Sequence, residues 1–176
     1  TPLPALEEGM YSDARAINDK GVVVGGASKM VDGRAVQRAV RWRNGKIQDL
    51  GTPAGTYSAV ARAINNDGVI VGTAIGESWV PVAWVNGVAK ELNRPGGGWG
   101  EAVSINRHGE IVGHTAATGE SYWANVDAAP VRIADLISAD HPCVGPAPFN
   151  VEATLYTVDD INATGVIAAV GKWTDP

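Results

Sequence analysis

The sequence predicts an all-β fold: a small β-propeller with four blades of mostly four antiparallel strands. Three observations carry that expectation. First, ARAINDKGVVVG at 14–25 returns as ARAINNDGVIVG at 61–72 and AVSINRHGEIVG at 102–113, with a worn copy, VDDINATGVIAAVG, at 158–171. Aligned on Ile17, Ile64, Ile105 and Ile161, the copies lie 47, 41 and 56 residues apart. Self-similarity at that period marks stacked or radially arranged supersecondary units. Second, within each copy the apolar residues alternate or form short β-branched runs bounded by turn residues, which is strand patterning. Third, the last unit stops early, while the opening segment resembles the end of a unit. That is what a ring closed by its two termini looks like, and closure removes exposed sheet edges.

Each strand has a reason. Ala14–Ile17 reads as a first strand and Val22–Gly25 as its hairpin partner across the turn Asn18–Gly21. A variable loop follows, and Ala39–Trp42 makes a third strand. Asn44-Gly45 is a strong hairpin signal, because a type I′ turn needs positive φ at both central residues; Lys46–Leu50 is the fourth strand. The second copy repeats the parts with Val82–Val85, Asn86-Gly87 and Val88–Leu92. In the third, Ser121–Trp123 precedes a longer turn at 126–130, and 131–136 closes the unit. Leu3–Ser12 aligns with the fourth strand and connector of the other copies, so it is expected to complete the last blade. The chain then reads as one repeat domain over 1–176. Its units are approximately 12–51, 58–95, 100–137 and 155–176 plus 1–10, with an insertion at 137–154.

The run RAVRWRNGKIQDLGTPAGTYSAVARAINNDGVIVGTA (38–74) resembles the HAF-type repeat of bacterial extracellular repeat proteins. The shared pattern is the strand leading to Trp, the Asn-Gly turn, Asp-Leu-Gly and the Ala-Ile-Asn…Gly-x-Val-Gly hairpin. The His-Ala-Phe that names such repeats reads Arg38-Ala39-Val40 here, and Pro81-Val82-Ala83 in the second copy. The resemblance fades beyond Ile137. It implies a bacterial, exported protein, extracellular or periplasmic, and it carries no catalytic residues.

Composition narrows the function. Hydrophobic residues at 45% and charged ones at 19% describe a globular chain. The 22 Gly and 10 Pro suit many tight turns. A net charge of −5 without basic clusters argues against a nucleic-acid partner. No apolar stretch is long enough to insert in a membrane as a helix. One cysteine, Cys143, excludes an intramolecular disulfide framework and a Cys-rich zinc cluster. Thr1–Pro4 shows neither the charged nor the apolar region of a leader.

Residues recurring in every copy are assigned to the fold. Asn18, Asn65, Asn106 and Asn162 open turns, where the side chain bonds to the backbone two residues on. Trp42, Trp84 and Trp123 share one position and wedge between blades. A second recurrent set, Tyr11, Tyr57, Trp99 and Tyr156, lies in the connectors, and connectors often carry function. These rings either plug the groove between blades or form a ligand-binding rim. With Trp79, which also falls outside the repeated Trp position, they are the candidate binding residues for a glycan or protein ligand. The enzyme alternative is a saccharide-active centre built from Asp160 or Glu101 with His114. The insertion brings Asp140, His141, Cys143 and Glu152, but Pro142 restricts convergence of His141 and Cys143. No catalytic, cofactor or metal site is assigned. Asp159-Asp160 reads as part of an electrostatic network with Arg15 and Arg62; a structural cation, Ca²⁺ or Na⁺, is the sharper reading, and the ligand count does not support it. The reading is a non-enzymatic, exported binding module, with an enzyme or a structural spacer as the alternatives.

Overall fold

Turn chemistry and alternating apolar residues divide the chain into short antiparallel sheets. The computed structural model describes residues 3–136 and 153–173, with side chains for 3–136 and 157–170. The first sheet contains β1 (Ser12–Ile17), β2 (Val23–Val31), β3 (Arg34–Arg43) and β4 (Lys46–Asp49). The second holds β5 (Ser58–Ile64), β6 (Ile70–Ile75), β7 (Trp79–Val85) and β8 (Val88–Glu91). The third holds β9 (Gly100–Ile105), β10 (Ile111–Thr115), β11 (Gly119–Trp123) and β12 (Val131–Arg132). β13 (Ala153–Ile161) and β14 (Ile167–Trp173) pair as a fourth, two-stranded sheet. Strands pair in chain order, each antiparallel to the next. No helix among the described residues is long and apolar enough to cross a membrane.

The predicted turns are present. Asn44 and Gly45 take φ of +50° and +72°, Asn86 and Gly87 +52° and +80°, as type I′ turns require. The segment read as a variable loop after Gly25 is instead the continuation of a long hairpin, because β2 and β3 run in unbroken register from Val23↔Trp42 to Val31↔Arg34. In the third unit the closing strand shrinks to β12, and Ile133–Leu136 forms a 3-10 turn.

The core lies between sheets. Val22, Val24, Ala39 and Leu50 of the first sheet pack on Ala61, Ile64, Val82 and Trp84 of the second. Val71, Ala83 and Leu92 of the second pack on Ala102, Ile105 and Trp123 of the third. Val112 of the third packs on Val158 and Ile161 of the fourth. The three tryptophans are buried as predicted, each donating its indole N–H across an interface. Trp84 reaches the Gly51 carbonyl at 3.1 Å and Trp123 that of Asn93 at 2.8 Å. Trp42 reaches Pro4 at 2.7 Å, so the opening segment stands where a preceding unit's connector would lie.

That segment does not complete the last sheet as expected. Residues 3–10 form no strand. They fold over the first sheet, Leu6 packing beside Trp42 and the Glu7 carboxylate accepting the Met30 N–H at 3.1 Å. Among the described residues, β13 and β14 make no packing with the first sheet comparable to that between successive sheets. Most of the 137–154 insertion, with Asp140, His141, Cys143 and Glu152, lies outside the described residues, as does the side chain of Tyr156.

A repeated β-bulge explains the glycine that ends each repeated hairpin motif, Gly25, Gly72 and Gly113. The register of β1, β5 and β9 shifts by one residue opposite Gly25, Gly72 and Gly113. The bulge drives a strand carbonyl over each glycine: a Cβ there would lie 2.0 Å from Asp13 O, 2.1 Å from Val60 O and 2.1 Å from Glu101 O. Backbone cannot yield as a side-chain tip can. Gly72→Ala should therefore lower stability by about 2–3 kcal/mol in urea unfolding. Gly68→Ala, at positive φ with no atom within 4 Å of the new Cβ, should cost about 1–2 kcal/mol.

Candidate binding rim

The direction of the strands decides where the recurrent aromatics lie. Each first strand runs from a connector to an asparagine turn, so the connectors before β1, β5 and β9 gather at one end of the sheets and the asparagine turns at the other. Tyr11, Tyr57 and Trp99 immediately precede β1, β5 and β9. Each is tied by its backbone to the far end of the neighbouring strand. Tyr11 O accepts from Ser28 N at 2.8 Å, Tyr57 N donates to Ile75 O at 2.9 Å, and Trp99 O accepts from Ala116 N at 2.9 Å. Trp79 opens β7 opposite Ile75 and so belongs to the same end. Tyr156 falls in β13, with its side chain undescribed.

These rings do not plug the grooves between sheets. Tyr11 is 66% exposed, Tyr57 59%, and Trp79 and Trp99 49% each, whereas the core tryptophans are at most 2% exposed. The connectors that present them are ordered by polar contacts. Thr56 Oγ1 donates to Pro53 O at 2.7 Å, and the Thr52 hydroxyl to Thr56 O at 3.2 Å. Before Trp99, Gly96, Gly97 and Gly98 take φ of +75°, +69° and +82°, a run only glycine adopts without strain. Arg94 pins that loop, donating to Glu91 Oε1 at 2.6 Å and to the Gly98 carbonyl. The long β2–β3 hairpin rises at this same end and exposes Met30 and Val31 beside Tyr11's strand. Sequence reading missed that apolar lip because it took the hairpin for a loop; the Asp32-Gly33 pair was its signal.

The carboxylates of the enzyme alternative are already engaged. Glu101 accepts from Arg62 Nη2 at 2.6 Å, and Arg62 also reaches Thr73 Oγ1 at 3.3 Å. Asp160 Oδ1 accepts from Ser104 Oγ at 2.6 Å and from its neighbour's backbone N–H at 2.9 Å. Glu101 lies three residues along β9 from Ser104, or roughly 10 Å at strand rise. His114 sits across the ladder from Glu101 on β10, without a hydrogen bond to it. His108 is exposed in its turn, where Arg107 donates to it at 3.1 Å. Among the described residues no three His, Cys, Asp or Glu side chains converge as metal ligands. At the end opposite the aromatics, a groove of about 230 Å³ between the first two sheets is lined by Lys20, Arg41, Arg43, Asp67 and Trp84. The sequence signal for it is a departure from the repeat, since Arg41 and Arg43 stand where the second unit has Ala83 and Val85.

One further departure changes proton binding. Glu110 occupies the position of Val22 and Val69, and accepts from Asn106 Nδ2 and, at 2.8 Å, from the Tyr122 hydroxyl. These two hydrogen bonds hold its carboxyl below the ordinary value of 4.5, against a smaller opposing effect of burial. Burial, with the bond to Glu110, pushes the Tyr122 phenol up to about 12. Comparison of the chain with known protein families, curated proteins and solved structures finds no match.

The signs give a pH window at each extreme. Glu110, with its folded pKa depressed, contributes stability above its ordinary value that is lost as pH falls through the lowered one. Tyr122, with its folded pKa raised, contributes stability present below pH 10 and lost as pH rises through about 12. Absorbance at the phenolate band should show one of the four tyrosines titrating near 12. Tyr122→Phe should abolish that late component and flatten the alkaline loss of stability.

Proposed function

We propose that the chain is a non-enzymatic binding module of propeller build, its four sheets serving as blades, which binds a glycan through one rim. Supporting the blade reading, the first strands of successive sheets, β1, β5, β9 and β13, are neighbours, as inner strands around an axis would be. Supporting the binding reading, Tyr11, Tyr57, Trp79 and Trp99 are 49–66% exposed at one end, Trp79 at the opening of β7 and the other three on connectors fixed by hydrogen bonds. That exposure is the observation that carries the proposal. Aromatic rings left in water on an ordered frame are costly to solubility and mark binding surfaces. Their flat faces suit the C–H face of a sugar ring, while Ser, Thr and Glu of the connectors suit hydroxyls. Tyr156 belongs to the same set by its spacing from the repeated isoleucine, although it falls within β13. The resemblance to HAF-type repeats adds an exported bacterial setting. A saccharide-active enzyme built on Asp160, Glu101 and His114 gains no support, since both carboxylates are committed to structural partners.

A glycan array probed with the intact chain should show retention of a subset of glycans. Losing two stacking rings, at about 1 kcal/mol each, should weaken binding about 30-fold in the Tyr57→Ala/Trp99→Ala double variant. Its unfolding midpoint should stay unchanged. Equal retention by the double variant would overturn the rim reading, and no retention by the intact chain would shift it to a protein ligand.

A further inference from the structure

The three interfaces between successive sheets are built from the same complementary halves. The later sheet contributes an isoleucine: Ile64, Ile105 and Ile161 are 9%, 6% and 4% exposed against the sheet before them. The earlier sheet contributes the residue just after its asparagine turn, Val22 and Val69 in the first two cases. The earlier sheet also donates an asparagine amide. Asn18 Nδ2 reaches Asn65 O at 3.0 Å, Asn65 Nδ2 reaches Asn106 O at 3.2 Å, and Asn106 Nδ2 reaches Asn162 O at 3.1 Å.

Each half that these interfaces use also stands unmatched at one end of the array. Ile17 on the first sheet is 66% exposed. Among the described residues the carbonyl of Asn18 accepts only its own turn amide, from Gly21, while those of Asn65, Asn106 and Asn162 each accept a turn amide and a ladder amide. On the fourth sheet Val166, in the position of Val22, is 63% exposed. It alternates with Ile167, which packs towards the third sheet, so Val166, Ala168 and Val170 share the outward face. Asn162 is exposed, and among the described residues its amide nitrogen meets no acceptor. The first sheet therefore offers the knob and the acceptor, and the fourth offers the socket and the donor.

We propose that the fourth sheet of one copy receives the first sheet of a second copy, head to tail, through a fourth instance of the same interface. The occupant is another copy rather than the same chain's own first sheet, because among the described residues β13 and β14 make no packing with that sheet comparable to the other three interfaces, which are all formed. The two surfaces are different, so the contact is heterologous: it closes into a ring if the rotation allows and extends into a filament if not. The interface is independent of whatever the aromatic rim binds.

Sedimentation velocity on the 176-residue chain should show reversible, concentration-dependent association in the micromolar range. Ile17→Asp and Val166→Asp, both at exposed positions and so harmless to the fold, should each weaken self-association at least tenfold. Mixing the two variants is the decisive arm, because each keeps the half that the other has lost. The mixture should give a 1:1 dimer that grows no further. A chain that stays monomeric at all concentrations would overturn the proposal and favour closure on itself or another partner. Association that either variant leaves intact, or a mixture that fails to dimerise, would overturn it as well.

Discussion

Everything in this structure hangs on an asparagine that does two jobs at once. Its side-chain oxygen closes the turn it opens, accepting backbone amides two and four residues on, as Asn65 does from Asp67 at 3.1 Å and Val69 at 3.0 Å. Its amide nitrogen then crosses to the next sheet's asparagine carbonyl. Asparagine combines an acceptor and a donor on a short stem, whereas aspartate has no proton to give. Asn18, Asn65 and Asn106 are buried, so each bond is made where an unmet polar group would be expensive. The ladder therefore couples turn shape to sheet spacing. A sheet rotated away from its neighbour would leave a buried side-chain amide without that acceptor and take from the neighbouring carbonyl one of its two donors.

Around the ladder the apolar contacts are local. Successive sheets touch pairwise across three interfaces, and among the described residues no single centre collects the core. Stability in such an array is a sum of unit and neighbour terms. The tryptophans reinforce that logic by filling the space between sheets and bonding to a connector carbonyl, which fixes the third strand of each sheet as the asparagine fixes the first. The third interface shows how far the pattern tolerates change. Glu110 replaces a valine there, and the carboxylate is accommodated because Asn106 and Tyr122 both donate to it.

Much of this was legible in the sequence for a physical reason: turn residues and alternation are local signals. Asn44-Gly45 and Asn86-Gly87 specified their turns without outside help, and the tryptophan period pointed to burial. Non-local features were hidden. That Asn65 reaches Asn106 depends on how two sheets stack, which no spacing reveals. The bulge that puts Val60 O over Gly72 is set by register, so the reason for a glycine inside that strand was hidden. The hairpin at 23–43 was obscured because its strands are polar and of mixed pattern. The opening segment matched a fourth strand in sequence, yet it serves as a connector that takes the Trp42 N–H. For the candidate rim, the sequence supplied the repeated positions, while only the structure could separate Tyr57 at 59% exposure from Trp84 at 1%.

The ladder can be read directly from the side-chain amides of the four turn asparagines. The measurement is hydrogen exchange of their NH₂ groups by NMR, on a sample dilute enough to be monomeric. Slow exchange at Asn18, Asn65 and Asn106, with Asn162 exchanging at the rate of an exposed amide, is the result this account predicts. Uniformly fast exchange at all four would contradict it, because the sheets would then be stacked without the bond on which their spacing is argued to depend.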